Sequence, residues 1–264
     1  METVTGSWLY RLTQEVNARL RLVCFPHAGG AAAAFRLWPA GLPPRTEVLA
    51  VQYPGRGSRL DDPPVDRIFA LAQAVGQALL QRPALPTVFF GHSMGGLVAF
   101  EVARQLADRA PELPRHLIVS GHAPPHRHTG HVPISHLPDA EFLRELDRRY
   151  AAVPAELLQY PDVLALLLPA LRADIAAVEH CGESPAGRLS CPITAFGGSD
   201  DPNATELDLG AWRELTHARV DLRVFPGGHF FINTEREPVL AAVSSVLRAV
   251  AGELTVSGAA CHEA

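Results

Sequence analysis

The stretch Gly91-His92-Ser93-Met94-Gly95 sets a hydroxyl between two glycines. The apolar run Thr87-Val88-Phe89-Phe90 precedes it, and Leu97-Val98-Ala99-Phe100 follows. Strand, sharp turn, helix is the setting in which this pentapeptide forms a nucleophile elbow. The glycines leave room for a strained turn that lifts Ser93 above the edge of a sheet, and the following helix aims its free N–H groups at a developing oxyanion. A serine hydroxyl is a poor nucleophile at neutral pH and needs a base. His229, in Pro226-Gly227-Gly228-His229-Phe230, follows the last expected strand and is the expected base. An acid must orient it, and in this architecture the chain order is serine, acid, histidine. Two neighbours compete in Gly197-Gly198-Ser199-Asp200-Asp201-Pro202. Asp201 is the expected orienter and Asp200 the alternative. The oxyanion needs two N–H donors. Met94, the residue after the nucleophile, is one; the second comes from Phe25-Pro26-His27-Ala28-Gly29-Gly30, with Ala28 the candidate and Gly29 next. These parts imply acyl transfer through an acyl-serine.

The elements that must hold these groups read as an α/β chain. Strands are expected at Leu20–Phe25, Val48–Val51, Thr87–Phe90, His116–Ser120, Ile193–Phe196 and Leu222–Phe225. Helices are expected over Ile68–Leu79, where apolar residues recur at helical spacing, over Leu97–Leu106, and from Pro238 to about Val250. Such alternation predicts an α/β-hydrolase fold: a mainly parallel sheet with helices on both faces. The interval 121–191 offers no strand. It offers helices near Asp139–Tyr150, Ala155–Tyr160 and Asp162–Val178, and reads as a helical lid over a substrate chamber. Val163 to Leu168 is apolar all round, which predicts shelter on several sides, and Pro169 should kink or break that helix. The expected organisation is one domain over 1–251, with the lid inside it and a disordered tail over 252–264.

The chain has 264 residues, 47% of them apolar, enough for one large domain with its own core. A net charge of −5 argues against a nucleic-acid partner. The chain contains no lysine, which excludes Schiff-base and lysine-base chemistry. Cys24, Cys181, Cys191 and Cys261 lack metal-ligand spacing and are expected to be free thiols. With no membrane-length apolar run and no basic leader, a soluble cytoplasmic protein is expected. His122, His126, His128, His131 and His136 could suggest a metal, but prolines at 124, 125 and 133 prevent regular spacing and no carboxylate or thiol completes a set.

Five segments, the elbow among them, resemble the type II thioesterases that accompany polyketide and nonribosomal peptide synthetases. They are Leu22–Gly30, Gln52–Arg59 (with Pro54-Gly55-Arg56), Gly91–Gly96, Leu167–Asp174 (with Leu171-Arg172-Ala173-Asp174) and Phe225–Phe231. The similarity runs from about Trp8 to Val250. It implies Ser93 as nucleophile, His229 as base and Asp201 as its orienter. It also implies hydrolysis of stalled or aberrant acyl groups from the phosphopantetheine arm of acyl or peptidyl carrier proteins; that chemistry requires no cofactor, and a monomer with no membrane partner is expected. The chain departs from the family at Glu179-His180-Cys181 and in the histidine-rich loop 122–136. Arg56, Arg59, Arg144, Arg148 and Arg149 could meet an acidic carrier; Arg172 and Asp174 receive no role from sequence. Carboxylesterase or lipase action on soluble esters, and acyl transfer to another acceptor, use the same triad.

Overall fold

Alternating side chains on each central strand feed two separate cores. Val23, Phe25, Leu49, Val51 and Phe89 face one way, and Leu22, Cys24, Val48, Ala50, Val88 and Phe90 the other. A sheet buried on both sides must be covered by helices on both sides. In the computed structural model, which describes residues 7–127, 132–151, 159–181 and 187–260, this is the architecture found. The strands are β1 (Leu9–Arg11), β2 (Leu20–Phe25), β3 (Thr46–Val51), β4 (Thr87–His92), β5 (His116–Ser120), β6 (Ile193–Gly198) and β7 (Val220–Phe225), in the spatial order β1-β3-β2-β4-β5-β6-β7. Only β1 runs antiparallel, pairing Leu9 with Val51 and Arg11 with Leu49. The sequence gives no warning of it, because three residues are too few to show an alternation.

Helices α1 (Ile68–Leu80) and α2 (Met94–Leu106) cover one face. The other is covered by Phe35, Trp38 and α7 (Arg236–Ala260). That last helix continues about ten residues past its expected end at about Val250, into the segment 252–264 expected to be disordered. Between β6 and β7 lies the short α5 (Glu206–Gly210), and between β7 and α7 the single turn α6 (Phe231–Thr234).

The long interval after β5 supplies α3 (Asp139–Tyr150) and α4 (Pro161–Glu179). The helix expected near Ala155–Tyr160 falls mostly outside the described residues. Phe142, Leu143, Leu146, Leu168 and Ile175 form a small core of their own, distinct from the two sheet cores. Two expectations for α4 need correction. The helix continues through Pro169 and does not break there. A proline there forfeits one hydrogen bond, to the carbonyl of Ala165, and Ala165 is exposed, so water can take that carbonyl. Nor is the run Val163–Leu168 sheltered all round: Val163 is 45% exposed and Leu166 53%. One face of it is buried and the other open. No helix among the described residues is long and apolar enough to cross a membrane.

Candidate active site

The residues expected to carry the chemistry gather at the carboxyl ends of β2, β4, β6 and β7. Ser93 follows β4 with φ 53° and ψ −123°, a conformation costly for any residue with a Cβ. The surroundings enforce it. A Cβ on Gly91 would collide with the Gly95 carbonyl, and one on Gly95 with the Phe25 carbonyl, so both positions tolerate only hydrogen. Ser93 N–H donates to the Ser120 carbonyl at 2.7 Å, which ties the elbow to β5.

The loops after β6 and β7 are laced to each other. Ser199 N–H donates to Phe225 O at 2.8 Å, Asp200 N–H to Gly227 O at 2.9 Å, and Gly227 N–H to Ser199 Oγ at 3.3 Å. Gly227 holds φ 105°, which lets the second loop curl over the elbow. The result is a continuous polar chain. His229 Nε2 lies 3.0 Å from Ser93 Oγ, and His229 Nδ1 lies 2.8 Å from Asp201 Oδ2. All three residues are buried, at 9%, 6% and 4% exposure for Ser93, His229 and Asp201. Asp200 is exposed and stands outside this chain.

Burial alone pushes the Asp201 carboxyl up. The hydrogen bond and charge of His229, with hydrogen bonds from Asn203, outweigh that and hold it below its ordinary value. The Asn203 N–H donates to Asp201 Oδ1 at 3.0 Å, and its side-chain Nδ2 also donates to the Arg149 carbonyl at 2.6 Å. Asn203 therefore joins the acid to the end of α3. Sequence reasoning missed it, although an Asx residue two positions after an aspartate is a usable turn signal.

Two further imidazoles pack around His229. His92 lies 5.2 Å from it, with Nδ1 2.9 Å from Ser120 Oγ; His27 lies 6.0 Å from His92. Burial drives His27 down to about 4, and burial drives His92 well below its ordinary value. Burial thus favours the neutral form of both rings.

Met94 opens α2, and Ala28 lines the cavity above Ser93. The turn His27–Gly30 separates the two oxyanion candidates. Gly29 N–H is already engaged, donating to Asp174 Oδ2 at 2.7 Å, whereas Ala28 N–H has no partner among the described residues. Gly30 N–H donates to His27 O at 2.9 Å. In a trans peptide the C=O and the following N–H point oppositely, so Ala28 N–H points away from Gly30.

Ser93, His229 and Ala28 share a cavity of about 180 Å³ with Leu143, Leu146, Leu164, Leu167 and Leu171 of the lid helices. The lid leucines thus lie over the elbow and offer the cavity apolar walls.

A model of the thioesterase domain matches residues 20–247. The chain belongs to the thioesterase domain family. This thioesterase is 38% identical over 251 residues to thioesterase PikA5 of Streptomyces venezuelae, covering 94% of this chain and 88% of the relative. It is 38% identical over 244 residues to a Brevibacillus parabrevis protein named linear gramicidin dehydrogenase LgrE, covering 91% of this chain and 92% of the relative. Among solved structures, the type II thioesterase BorB from the borrelidin biosynthetic cluster superposes with a TM-score of 0.81 at 35% identity, covering 91% of this chain and 96% of that one.

Several arginines of this thioesterase are not where sequence suggested. Arg56 is 4% exposed and pairs with Asp174, so it cannot meet a partner protein. Arg59 stacks 4.1 Å from the Trp8 ring and pairs with Asp62 at 2.7 Å. Arg144 and Arg148 are exposed on α3. Arg172 and Asp174, unassigned from sequence, serve different neighbours: Arg172 donates to the Ser135 and Leu137 carbonyls and to Asp139, whereas Asp174 turns inward. In the histidine-rich loop, His126 lies 2.9 Å from Glu214, and His122 Nδ1 donates to the Ala123 carbonyl at 2.6 Å; His128 and His131 lie outside the described residues. Among the described residues, no three His, Cys, Asp or Glu side chains converge as metal ligands.

Proposed function

We propose that this thioesterase releases acyl groups held as thioesters on the phosphopantetheine arm of acyl or peptidyl carrier proteins, clearing stalled or aberrant units during polyketide or nonribosomal peptide assembly. Ser93 is the nucleophile, His229 the general base and acid, and Asp201 the residue that fixes the imidazole tautomer. The observation that carries this reading is the Ser93–His229–Asp201 relay at the floor of a leucine-lined cavity.

His229 takes the Ser93 proton as Oγ bonds to the thioester carbon. The resulting oxyanion accepts from Met94 N–H and Ala28 N–H, and each such donor contributes about 3 kcal/mol. The C–S bond then breaks, and the thiol leaves with the proton held by His229. Water, giving a proton to His229, attacks the acyl-serine; the proton returns to Ser93 and free acid departs. Every proton and electron pair moves between protein, substrate and water. The leucine walls suit a hydrocarbon chain, because each CH₂ they bury contributes about 0.8 kcal/mol.

The test is to load an acyl group on a carrier protein, quench early and look for acyl-Ser93 by mass spectrometry, with Ser93→Ala as control. An adduct on Ser93 supports the reading. Hydrolysis unchanged in Ser93→Ala would overturn the nucleophile; faster turnover of simple oxygen esters than of carrier-bound thioesters would overturn the substrate.

A further inference from the structure

The loop that presents Ala28 is gripped from the lid. Asp174, on α4, is fully buried, and its Oδ2 accepts from Gly29 N–H at 2.7 Å. The same carboxylate takes both arms of the Arg56 guanidinium, Nη1 to Oδ2 and Nη2 to Oδ1, the latter at 2.8 Å. Arg56 is itself held: its Nε donates to Pro54 O at 3.2 Å, and its Nη1 reaches Gly30 O at 3.5 Å. Residues 118 positions apart in the chain thus pair beside the oxyanion loop, Asp174 on the Gly29 amide and Arg56 near the Gly30 carbonyl.

Stability does not explain the arrangement. A buried ion pair often stabilises no more than a well-packed apolar pair of the same volume, because both charges must leave water. What an apolar pair could not supply is the acceptor for Gly29 N–H. That bond orients the peptide plane between Ala28 and Gly29, and Gly29 sits at φ 75°, where a side chain would be strained. The His27 O to Gly30 N–H bond orients the plane before it. The Ala28 N–H lies in that earlier plane and points away from Gly30; the Asp174 bond holds the adjoining plane, on the far side of the Ala28 Cα, and so keeps the turn in the shape that closes His27 O on Gly30 N–H.

We propose that Asp174, oriented by Arg56, is the positioning residue of the oxyanion loop, so that lid helix α4 fixes the direction of the Ala28 N–H. This rests on the reading of Ala28 as an oxyanion donor in Ser93 chemistry. It differs from an anchoring role for α4 in one respect. A positioning pair acts on the transition state and leaves binding of the acyl chain alone.

Asp174→Asn and Arg56→Lys test the charged pair. The double variant Arg56→Met/Asp174→Leu tests a packed apolar substitute that folds without it. Each is assayed for kcat and KM on a small pantetheine thioester. Each is also assayed for affinity toward a trifluoromethyl ketone, which forms an oxyanion on Ser93, and toward the alkanol of equal chain length, which fills only the chamber. The expected result is a fall in kcat of about 10-fold to 100-fold with KM changed less than about threefold. Trifluoromethyl ketone affinity falls by a similar factor, and alkanol affinity holds. A double variant that turns over at the parent rate overturns the proposal. So does a loss of both ligands in equal measure, or failure of every variant to fold, since the pair would then serve the lid alone. Ser93→Ala is run alongside. Its retained activity would break the underlying reading, whereas an inert Ser93→Ala beside a fully active double variant breaks only the positioning role.

Discussion

Replacing Asp201 by asparagine leaves the volume of the site unchanged and removes one charge. His229 Nδ1 lies 2.8 Å from Asp201 Oδ2, so the charge centres of an imidazolium and this carboxylate lie about 4 Å apart. At an effective dielectric constant of about 20, that attraction amounts to about 4 kcal/mol, close to a thousandfold in rate. A second loss adds to it. An asparagine that donates its N–H to Nδ1 forces the ring proton onto Nε2, the nitrogen 3.0 Å from Ser93 Oγ that must accept a proton. Asp201→Asn should therefore lower kcat by about 10³- to 10⁴-fold. Asp200→Asn, one position away but exposed, should change it less than about twofold. The assay is thiol release from an acyl pantetheine, followed by dye reaction, with circular dichroism to confirm folding. An Asp201→Asn enzyme within tenfold of the parent, or an equal fall in Asp200→Asn, would refute the assignment.

Four other outcomes follow from the same geometry. Gly95→Ala forces a methyl group into the Phe25 carbonyl, and should abolish soluble expression or cost more than about 4 kcal/mol in denaturant titration. Leu167→Trp fills the acyl chamber, and should raise KM about tenfold for chains two or more methylenes too long while leaving acetyl thioester kinetics unchanged. His116, with Nε2 2.8 Å from Thr194 Oγ1, is held by burial at about 4 against an ordinary 6.5. The unfolded chain therefore binds more protons between those values, and stability must fall as pH drops through that window. About 3 kcal/mol is lost at this one site, and His116→Gln should flatten the acid limb of a urea-midpoint profile accordingly. Arg148, 67% exposed at its side chain and paired with Glu145 at 2.8 Å, is one of the exposed cations of α3; if it docks an acidic carrier, Arg148→Glu should slow carrier-bound substrates severalfold and spare small thioesters, and equal effects on both would exclude docking there.

What the sequence makes legible is what neighbouring residues decide. β2, β5 and α3 fall on the residues expected of them, since a continuous apolar run or a helical periodicity needs no distant partner to be recognised. The elbow and the histidine loop read equally well, because strand, glycine turn and helix are consecutive. The choice between Asp200 and Asp201 was less legible. Which of two adjacent carboxylates turns inward depends on the lacing of the β6 and β7 loops, and on Asn203. The Arg56–Asp174 pair was not legible at all. Arg56 has the look of a surface cation, and only the folded lid delivers the carboxylate that removes it from solvent. That α4 does not break at Pro169 has a related cause: propensity counts the lost hydrogen bond, while the exposure of Ala165 leaves its carbonyl open to water.

Ser93 occupies a backbone geometry that this fold could fill more comfortably with glycine. In the proposed mechanism the attacking oxygen therefore hangs from a strained backbone rotation, and thermal robustness and turnover pull in opposite directions at a single codon. A screen that selects only for heat tolerance should drift toward glycine at position 93, and so toward well-behaved, inert protein. Libraries built on this scaffold must hold that position fixed and look for sturdiness in the sheet cores.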